Sequence, residues 1–251
     1  MQSKSHLPLA VLVALIGCRS EMKTTIPCEE DTGLSSHSNP DYQFQDRNFT
    51  NDPDGISLPF DLDSASFDVG SAPGGLFLDP ELVIDDLEEA RAAWSNTTGA
   101  DLDLSVDDVY LSDGKVNAND GSPEGPGPLA SQIFMQPRAK DGGAGDVDSI
   151  ASSHLWAVSP PVATNCDIEF WQKRQDGSNY IYVAGGAPTS GGQIDVAWIM
   201  AHELGHCIGL GDQTAGSTAL DVMFGTYTGG TNFTVLPDED KEGARVLYCE
   251  E

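Results

Sequence analysis

The eleven residues HELGHCIGLGD, numbered 202 to 212, restrict the possible folds of this chain more than any other segment. If they form a helix, His202 and His206 are about one turn apart, and their imidazoles share a face at a separation that one metal ion can bridge. Glu203 is rotated by about 100° from His202 on such a helix and lies beside the ion, where it can accept a proton from water. The segment therefore predicts a helix that carries two metal ligands and a general base.

Two histidines do not complete a catalytic zinc site, which usually has three protein ligands and one open position. Gly209 can end the helix in a left-handed backbone conformation that most residues resist, and the turn then brings Asp212 towards the ion. Asp221 is an alternative third ligand. The other histidines are His6 at the N-terminus before an apolar run, His37 in a polar stretch and His154 in an upstream strand. We therefore predict that His202, His206 and Asp212 bind the metal.

The N-terminus carries one lysine and then the apolar run LPLAVLVALIG, which is too short to span a bilayer but has the length of a signal-peptide core. Residues 15–18, LIGC, resemble the lipobox of bacterial lipoproteins, which implies cleavage before Cys18 and lipid attachment to its sulfur. An ordinary secretory signal with an incidental cysteine is the alternative. We predict that residues 1–17 are a lipoprotein signal peptide. The protein is then exported, as a bacterial cell-envelope lipoprotein (outer membrane or surface) or as a secreted protein, with the lipid as its membrane contact.

Four cysteines remain after Cys18, namely Cys28, Cys166, Cys207 and Cys249. An even number in an exported chain predicts disulfide bonds, and the sequence does not choose among the three possible pairings. Cys207 follows a predicted ligand and can instead be a buried thiol. Cys28 can alternatively be a thiol that blocks the zinc of a latent form.

The side-chain charges exclude some partners and add a candidate ion. Twelve basic against forty acidic side chains give a net charge of −28, which disfavours nucleic acid and anionic lipid. Calcium is a second candidate ion, since an acidic stretch also containing glycine and asparagine can supply oxygen ligands, although its spacing matches no defined calcium loop. Its acids are Asp101, Asp103, Asp107, Asp108, Asp113 and Asp120. The chain has 27 glycines and 15 prolines, which favour a loop-rich α+β protein over a helical bundle.

The polar, aperiodic residues 18–53 are typical of a tether or a short pro-segment, and residues 54–251 form one predicted domain. A first strand begins at Ile56, and its Pro59 is tolerable at a sheet edge or at a strand start. A helix follows, with Asp79 as N-cap and Pro80 at its first position. Further strands are expected over 102–106, 131–136, 152–158, 166–171 and, more weakly, 180–184. The motif helix opens at Asp195, and a C-terminal helix spans 236–249.

The motif HELGHCIGLGD followed by Met223 in ALDVMFGTY resembles the metzincin clan of zinc endopeptidases. The clan shows two helical histidines, a glutamate, a glycine, a third ligand and a methionine-containing turn beneath the metal. Aspartate as the third ligand is similar to small bacterial enzymes of the snapalysin type. MFGTY and LPDEDKEGARVLYC resemble the matrixin ending, in which Tyr227 would help to wall the specificity pocket. Gly225 departs from the matrixin proline at its position.

This resemblance implies a zincin-like α+β fold with a twisted mixed sheet, an antiparallel edge strand, a backing helix, an active-site helix and a C-terminal helix. It implies that His154, Leu155 and Trp156 of the edge strand line a cleft for an extended peptide. The predicted function is that of a monomeric, zinc-dependent endopeptidase that hydrolyses protein or peptide substrates with metal-activated water and Glu203 as general base. The alternatives are a non-catalytic zinc-binding surface lipoprotein and an esterase or amidase with similar zinc chemistry.

Overall fold

The computed structural model describes residues 43–44, 56–67, 78–108, 131–136, 149–158, 162–213, 221–227, 229–233 and 235–248. In this part of the chain the helices are α1 (Pro80–Ser95), α2 (Val196–Cys207) and α3 (Asp238–Leu247), with a short 3-10 helix at Ser64–Phe67. The strands are β1 (Gln43–Phe44), β2 (Ile56–Leu62), β3 (Leu102–Asp108), β4 (Ser131–Gln136), β5 (Ala151–Val158), β6 (Val162–Trp171), β7 (Ile181–Val183), β8 (Gln193–Asp195) and β9 (Leu210–Gly211).

Five strands form the main sheet in the order β3-β2-β4-β6-β5. β2 pairs in parallel with β3 and β4, and β4 pairs in parallel with β6. β5 pairs with β6 in the antiparallel direction and lies at the edge. The predicted α+β class, with a mixed sheet and an antiparallel edge strand, is thus confirmed.

Pro59 lies in β2, which has neighbouring strands on both sides, whereas a proline is expected at a sheet edge or at a strand start. The pairing of β2 with β4 begins only at Phe60, whereas Pro59 is paired with Ser105 of β3. At Pro59 the strand is therefore paired on one side, where a missing backbone N–H can be tolerated.

Helix α1 begins as the sequence predicts and packs against α2. The Asp79 side chain accepts a hydrogen bond from the backbone N–H of Glu81 (3.1 Å), and Pro80 occupies the first turn. The apolar residues on its buried face are Val83, Leu87, Ala90 and Trp94. The indole Nε1 of Trp94 donates to the carbonyl oxygen of Ala201 (2.8 Å), so α1 is tied to the middle of α2.

Helix α2 lies in the protein interior and is covalently bound to the sheet. Its N-cap is Asp195, whose Oδ1 accepts from the backbone N–H of Ala197 (3.1 Å). At the other end, Cys207 forms a disulfide with Cys166 of β6, with a Cα–Cα distance of 5.4 Å. The prediction of a disulfide is confirmed for this pair, and the alternative of a buried Cys207 thiol is wrong. Cys18, Cys28 and Cys249 lie outside the described residues.

Two short strand pairs complete the fold. β7 and β8 are parallel, which confirms a strand within the predicted range 180–184. β1 pairs in the antiparallel direction with β9, so Gln43 and Phe44 of the predicted tether or pro-segment contact the chain directly before Asp212. None of the helices in the described ranges is long and apolar enough to cross a bilayer.

Candidate metal centre

Three potential ligand atoms converge at the C-terminal part of α2. The Nε2 atoms of His202 and His206 are 3.1 Å apart. Oδ1 of Asp212 lies 3.3 Å from the first of these nitrogens and 3.4 Å from the second. In the described part of the chain, these three residues form a group whose ligand atoms all lie within 4.8 Å of one another. The structure therefore places Asp212, and not Asp221, beside the two histidines.

Backbone carbonyls fix the orientation of both imidazoles. Nδ1 of His202 is 2.7 Å from the carbonyl oxygen of Val222, and Nδ1 of His206 is 2.8 Å from that of Leu210. Because a carbonyl only accepts, each Nδ1 carries the proton, and in the neutral rings each Nε2 presents a lone pair. Two such lone pairs and a carboxylate oxygen repel one another unless a cation lies between them. The donor set therefore fits a divalent metal ion such as zinc.

The turn after α2 brings Asp212 to the two histidines. Gly209 has φ +97°, the left-handed conformation predicted from the sequence, and it directly follows Ile208, the C-cap of α2. In the metal-free protein, hydrogen bonds from the protonated forms of the His202 and His206 imidazoles hold the pKa of the Asp212 carboxyl well below its usual range. Asp212 is thus a carboxylate at neutral pH, as a metal ligand must be.

Glu203 follows the first histidine and is buried. Its residue exposure is 5%, and its Oε2 atom has no hydrogen-bond partner in the described part of the chain. Burying a carboxylate oxygen without a partner costs free energy unless a cation or a reacting group compensates it. Glu203 is therefore not a solvated surface group, and its burial calls for a compensating partner.

The turn around Met223 packs against α2. Met223 is fully buried, and its Sδ atom lies so close to Gly205 of α2 that a Cβ at position 205 would be 2.2 Å away. Asp240 of α3 holds this turn, since its carboxyl oxygens accept from the backbone N–H groups of Val222 (2.7 Å) and Met223 (3.4 Å). Burial raises the pKa of Asp240 to about 7.

Sequence reasoning missed this role of Asp240. Acidic side chains are favoured in the first turn of a helix by its dipole, and Asp238 and Glu239 are exposed there. Asp240 has 0% exposure instead. Its position among three acidic residues gives no signal that separates it from its neighbours.

An aromatic pair connects Tyr227 to the metal centre. The Trp198 ring lies nearly parallel to that of His202, with 5.4 Å between centroids and 12° between planes. The Tyr227 ring meets Trp198 edge-on at 4.9 Å. The Tyr227 hydroxyl accepts from the backbone N–H of Asp195 (3.0 Å) and donates to the carbonyl oxygen of Thr231 (2.8 Å). Tyr227 is thus separated from His202 by the Trp198 ring.

The predicted cleft residues of β5 lie on different faces of the sheet. Leu155 pairs with Cys166, whose sulfur is bonded to α2, so Leu155 is on the α2 side. His154 pairs with Asp167 on the opposite face, where its Nε2 is 3.5 Å from Oε2 of the fully buried Glu169. The structure therefore does not bring His154 to the metal centre. Trp156 lies in β5, and its side chain is outside the described residues.

The acidic stretch that suggested calcium is described only in part. Asp101, Asp103 and Asp107 are exposed, whereas Asp113 and Asp120 lie outside the described residues. Within the described ranges, these acids form no group of ligand atoms close enough to share an ion. The described residues thus give calcium no support.

Comparisons with known proteins give a family match and a distant structural match for this chain. The family model described as Matrixin matches residues 78–249, which is more than half of the chain. A solved structure titled "GM1 bound form of the ECX AB5 holotoxin" contains a chain with 12% sequence identity and a TM-score of 0.42, covering 78% of this chain and 82% of that chain. A comparison with curated proteins gives no match.

Proposed function

The chain belongs to the matrixin family of zinc metallopeptidases, and on this basis we propose that it is an endopeptidase that cleaves within protein or peptide chains. One observation carries the proposal: Nε2 of His202, Nε2 of His206 and Oδ1 of Asp212 face one another at 3.1 to 3.4 Å. Both Nδ1 atoms are already bonded to carbonyl oxygens, so the three facing atoms are available for an ion.

In the proposed reaction, each residue of the centre has a separate task. When bound by His202, His206 and Asp212, zinc supplies a Lewis acid that polarises the scissile carbonyl and lowers the pKa of water. Glu203 takes a proton from the attacking water and passes it to the departing amine nitrogen. Because Glu203 is buried, bulk water is kept from its carboxylate, which strengthens the electrostatic interactions of that group. The carbonyl oxygens of Val222 and Leu210 keep the two histidines in the tautomer that the centre requires.

We further propose that the substrate binds as an extended strand along β5, the antiparallel edge of the main sheet. A free strand edge offers backbone N–H and C=O groups to an extended peptide. Leu155, on the α2 side of that strand, and Tyr227, beside Trp198, are the proposed walls for substrate side chains.

The segment 1–17 is proposed to be a signal peptide and Cys18 a lipidated N-terminus. The mature protein would then be a monomeric envelope lipoprotein with its catalytic domain over 54–251.

The test of the function is the substitution Glu203→Gln in the zinc-loaded protein. We expect kcat/KM for casein or a peptide to fall by about 10²–10⁴-fold, because general-base catalysis contributes that much. Zinc content and circular dichroism should not change. Glu239→Gln, an exposed glutamate at the start of α3, is the matched control and should keep full activity.

Other results would support different functions. A zinc-loaded protein that cleaves no peptide would indicate a non-catalytic zinc-binding lipoprotein. Turnover of small esters or amides without proteolysis would indicate an esterase or amidase. Retention of full proteolysis by Glu203→Gln would refute the role of Glu203.

A further inference from the structure

Gly225, two residues after Met223, lies directly against the third ligand. A side chain at position 225 would place its Cβ 3.0 Å from both Cβ and Cγ of Asp212 and 3.3 Å from its Oδ1. Such distances are shorter than the usual carbon–carbon contact of about 3.5–4.0 Å. The carboxylate of Asp212 therefore occupies space that is available because residue 225 has no side chain.

The backbone around the two residues leaves little room for adjustment. The N–H of Gln213 donates to the carbonyl oxygen of Met223 (2.7 Å), and the N–H of Gly225 donates to the carbonyl oxygen of Gln213 (3.3 Å). Gln213 and Phe224 form a parallel bridge between the same two segments. The Asp240 carboxyl holds the start of the turn, as described above. Separating the segments would break these bonds, so a new side chain at 225 would instead displace the Asp212 side chain.

Space, and not backbone conformation, is what requires glycine here. Gly209 and Gly230 have φ values of +97° and +86°, but Gly225 is not among the glycines with positive φ. Alanine can adopt the backbone conformation of Gly225 without the strain of the left-handed region. A substitution at 225 therefore acts through contact with Asp212.

The contact between Gly225 and Asp212 matters because the aspartate side chain is shorter than that of a histidine. An aspartate oxygen is two bonds from Cβ, whereas the Nε2 of a histidine is three bonds away. A carboxylate ligand thus requires the main chain at position 212 to come closer to the ion, and the neighbouring turn must make room. Oδ1 must also stay within reach of both His202 and His206, which excludes large rotations of the side chain.

We propose that Gly225 is a positioning residue for the metal centre. Because Gly225 has no side chain, the Asp212 carboxylate can occupy the adjacent space and face the two histidines. This inference rests on the proposed function, because it assigns Asp212 as the third ligand. Alanine at 225 would push Oδ1 away from the common point of the three ligand atoms. Outer-shell changes of this kind typically reduce metal affinity by about 10–100-fold, and we expect a loss in this range.

The experiment measures zinc affinity by competition with a chelator, together with the absorption spectrum of the cobalt-substituted protein. Gly225→Ala should bind zinc about 10–100-fold more weakly and show an altered cobalt spectrum. Gly186→Ala is the matched control, since a Cβ there meets no atom within 4 Å and its φ is not positive. This control should bind zinc like the unsubstituted protein.

A double substitution separates contact with Asp212 from a general structural effect. In the Asp212→Gly background, all three contacted atoms are absent, so adding Gly225→Ala should not weaken the residual zinc binding further. Recovery of the fold in this double variant would also support the contact if Gly225→Ala alone fails to fold.

Three results would overturn the inference. They are unchanged zinc affinity in Gly225→Ala, an equal loss in the presence and absence of the Asp212 side chain, and a misfolded single variant that the double substitution does not restore. Absence of zinc binding in the unsubstituted protein would instead refute the proposed function, and this inference with it.

Discussion

Gly205 allows helix α2 to pack closely against the turn around Met223, and its replacement by alanine tests that packing. A Cβ at position 205 would lie 2.2 Å from Sδ and 3.1 Å from Cε of Met223, and 3.0 Å from Cζ2 of Trp94. Both neighbours are fully buried, so neither can move into solvent. The next residue is His206, a proposed metal ligand, so this contact lies beside the candidate metal centre.

Two opposing effects decide the sign of the change in stability. Alanine is favoured over glycine inside a helix by about 1 kcal/mol. Overpacking a filled core costs about 1–3 kcal/mol, and the cost here should be near the upper limit because Sδ must retreat by about 1 Å or more. The expected net loss is about 2 kcal/mol, which corresponds to a decrease in Tm of about 4–8 °C for a domain of this size.

The assay is thermal unfolding of the metal-free protein, followed by circular dichroism. The same Gly205→Ala substitution in a Met223→Ala background, where Sδ and Cε are absent, should be neutral or stabilising. A rise in Tm for Gly205→Ala alone would refute the reasoning, because helix propensity would then outweigh the contact with Met223.

Three further measurements test other parts of the structure. Replacing both Cys166 and Cys207 by alanine opens a loop with a sequence separation of 41, and should cost about 4 kcal/mol in denaturant unfolding; a loss below about 1 kcal/mol would contradict this. Burial raises the pKa of Asp86 from 3.8 to about 7. Between pH 4 and 7 the unfolded carboxyl is therefore ionised while the folded one is still protonated, so the metal-free protein should lose stability as the pH rises through this range. Asp86→Asn should reduce that slope, and an unchanged slope would contradict the assignment. Zinc binding should change the tryptophan fluorescence through Trp198, which is stacked on His202, and Trp198→Phe should abolish most of the change.

The local parts of the metal centre could be predicted from the sequence. The spacing of His202 and His206, and the left-handed turn at Gly209 that brings Asp212 back, depend on helix geometry and on one glycine. The start of α1 at Pro80 follows equally from its cap. These features involve residues within a few positions of one another, so they do not depend on how distant segments pack.

Features that depend on tertiary contacts could not be predicted. The pairing of Cys166 with Cys207 requires β6 to lie beside the end of α2, which no local pattern encodes. Asp240 differs from its acidic neighbours only because the methionine turn covers it. His154 faces away from α2 because the register of β5 against β6 decides the face, and a shift of one residue would reverse it.

The most direct test of the account is a crystal structure of the zinc-loaded protein, with the ion located by anomalous scattering. We predict one zinc ion bound by Nε2 of His202, Nε2 of His206 and a carboxylate oxygen of Asp212 at about 2.0–2.2 Å, with at least one position left to water or substrate. An Asp212 carboxylate turned away from the ion, or a coordination sphere closed by four side chains, would contradict the proposed catalytic centre.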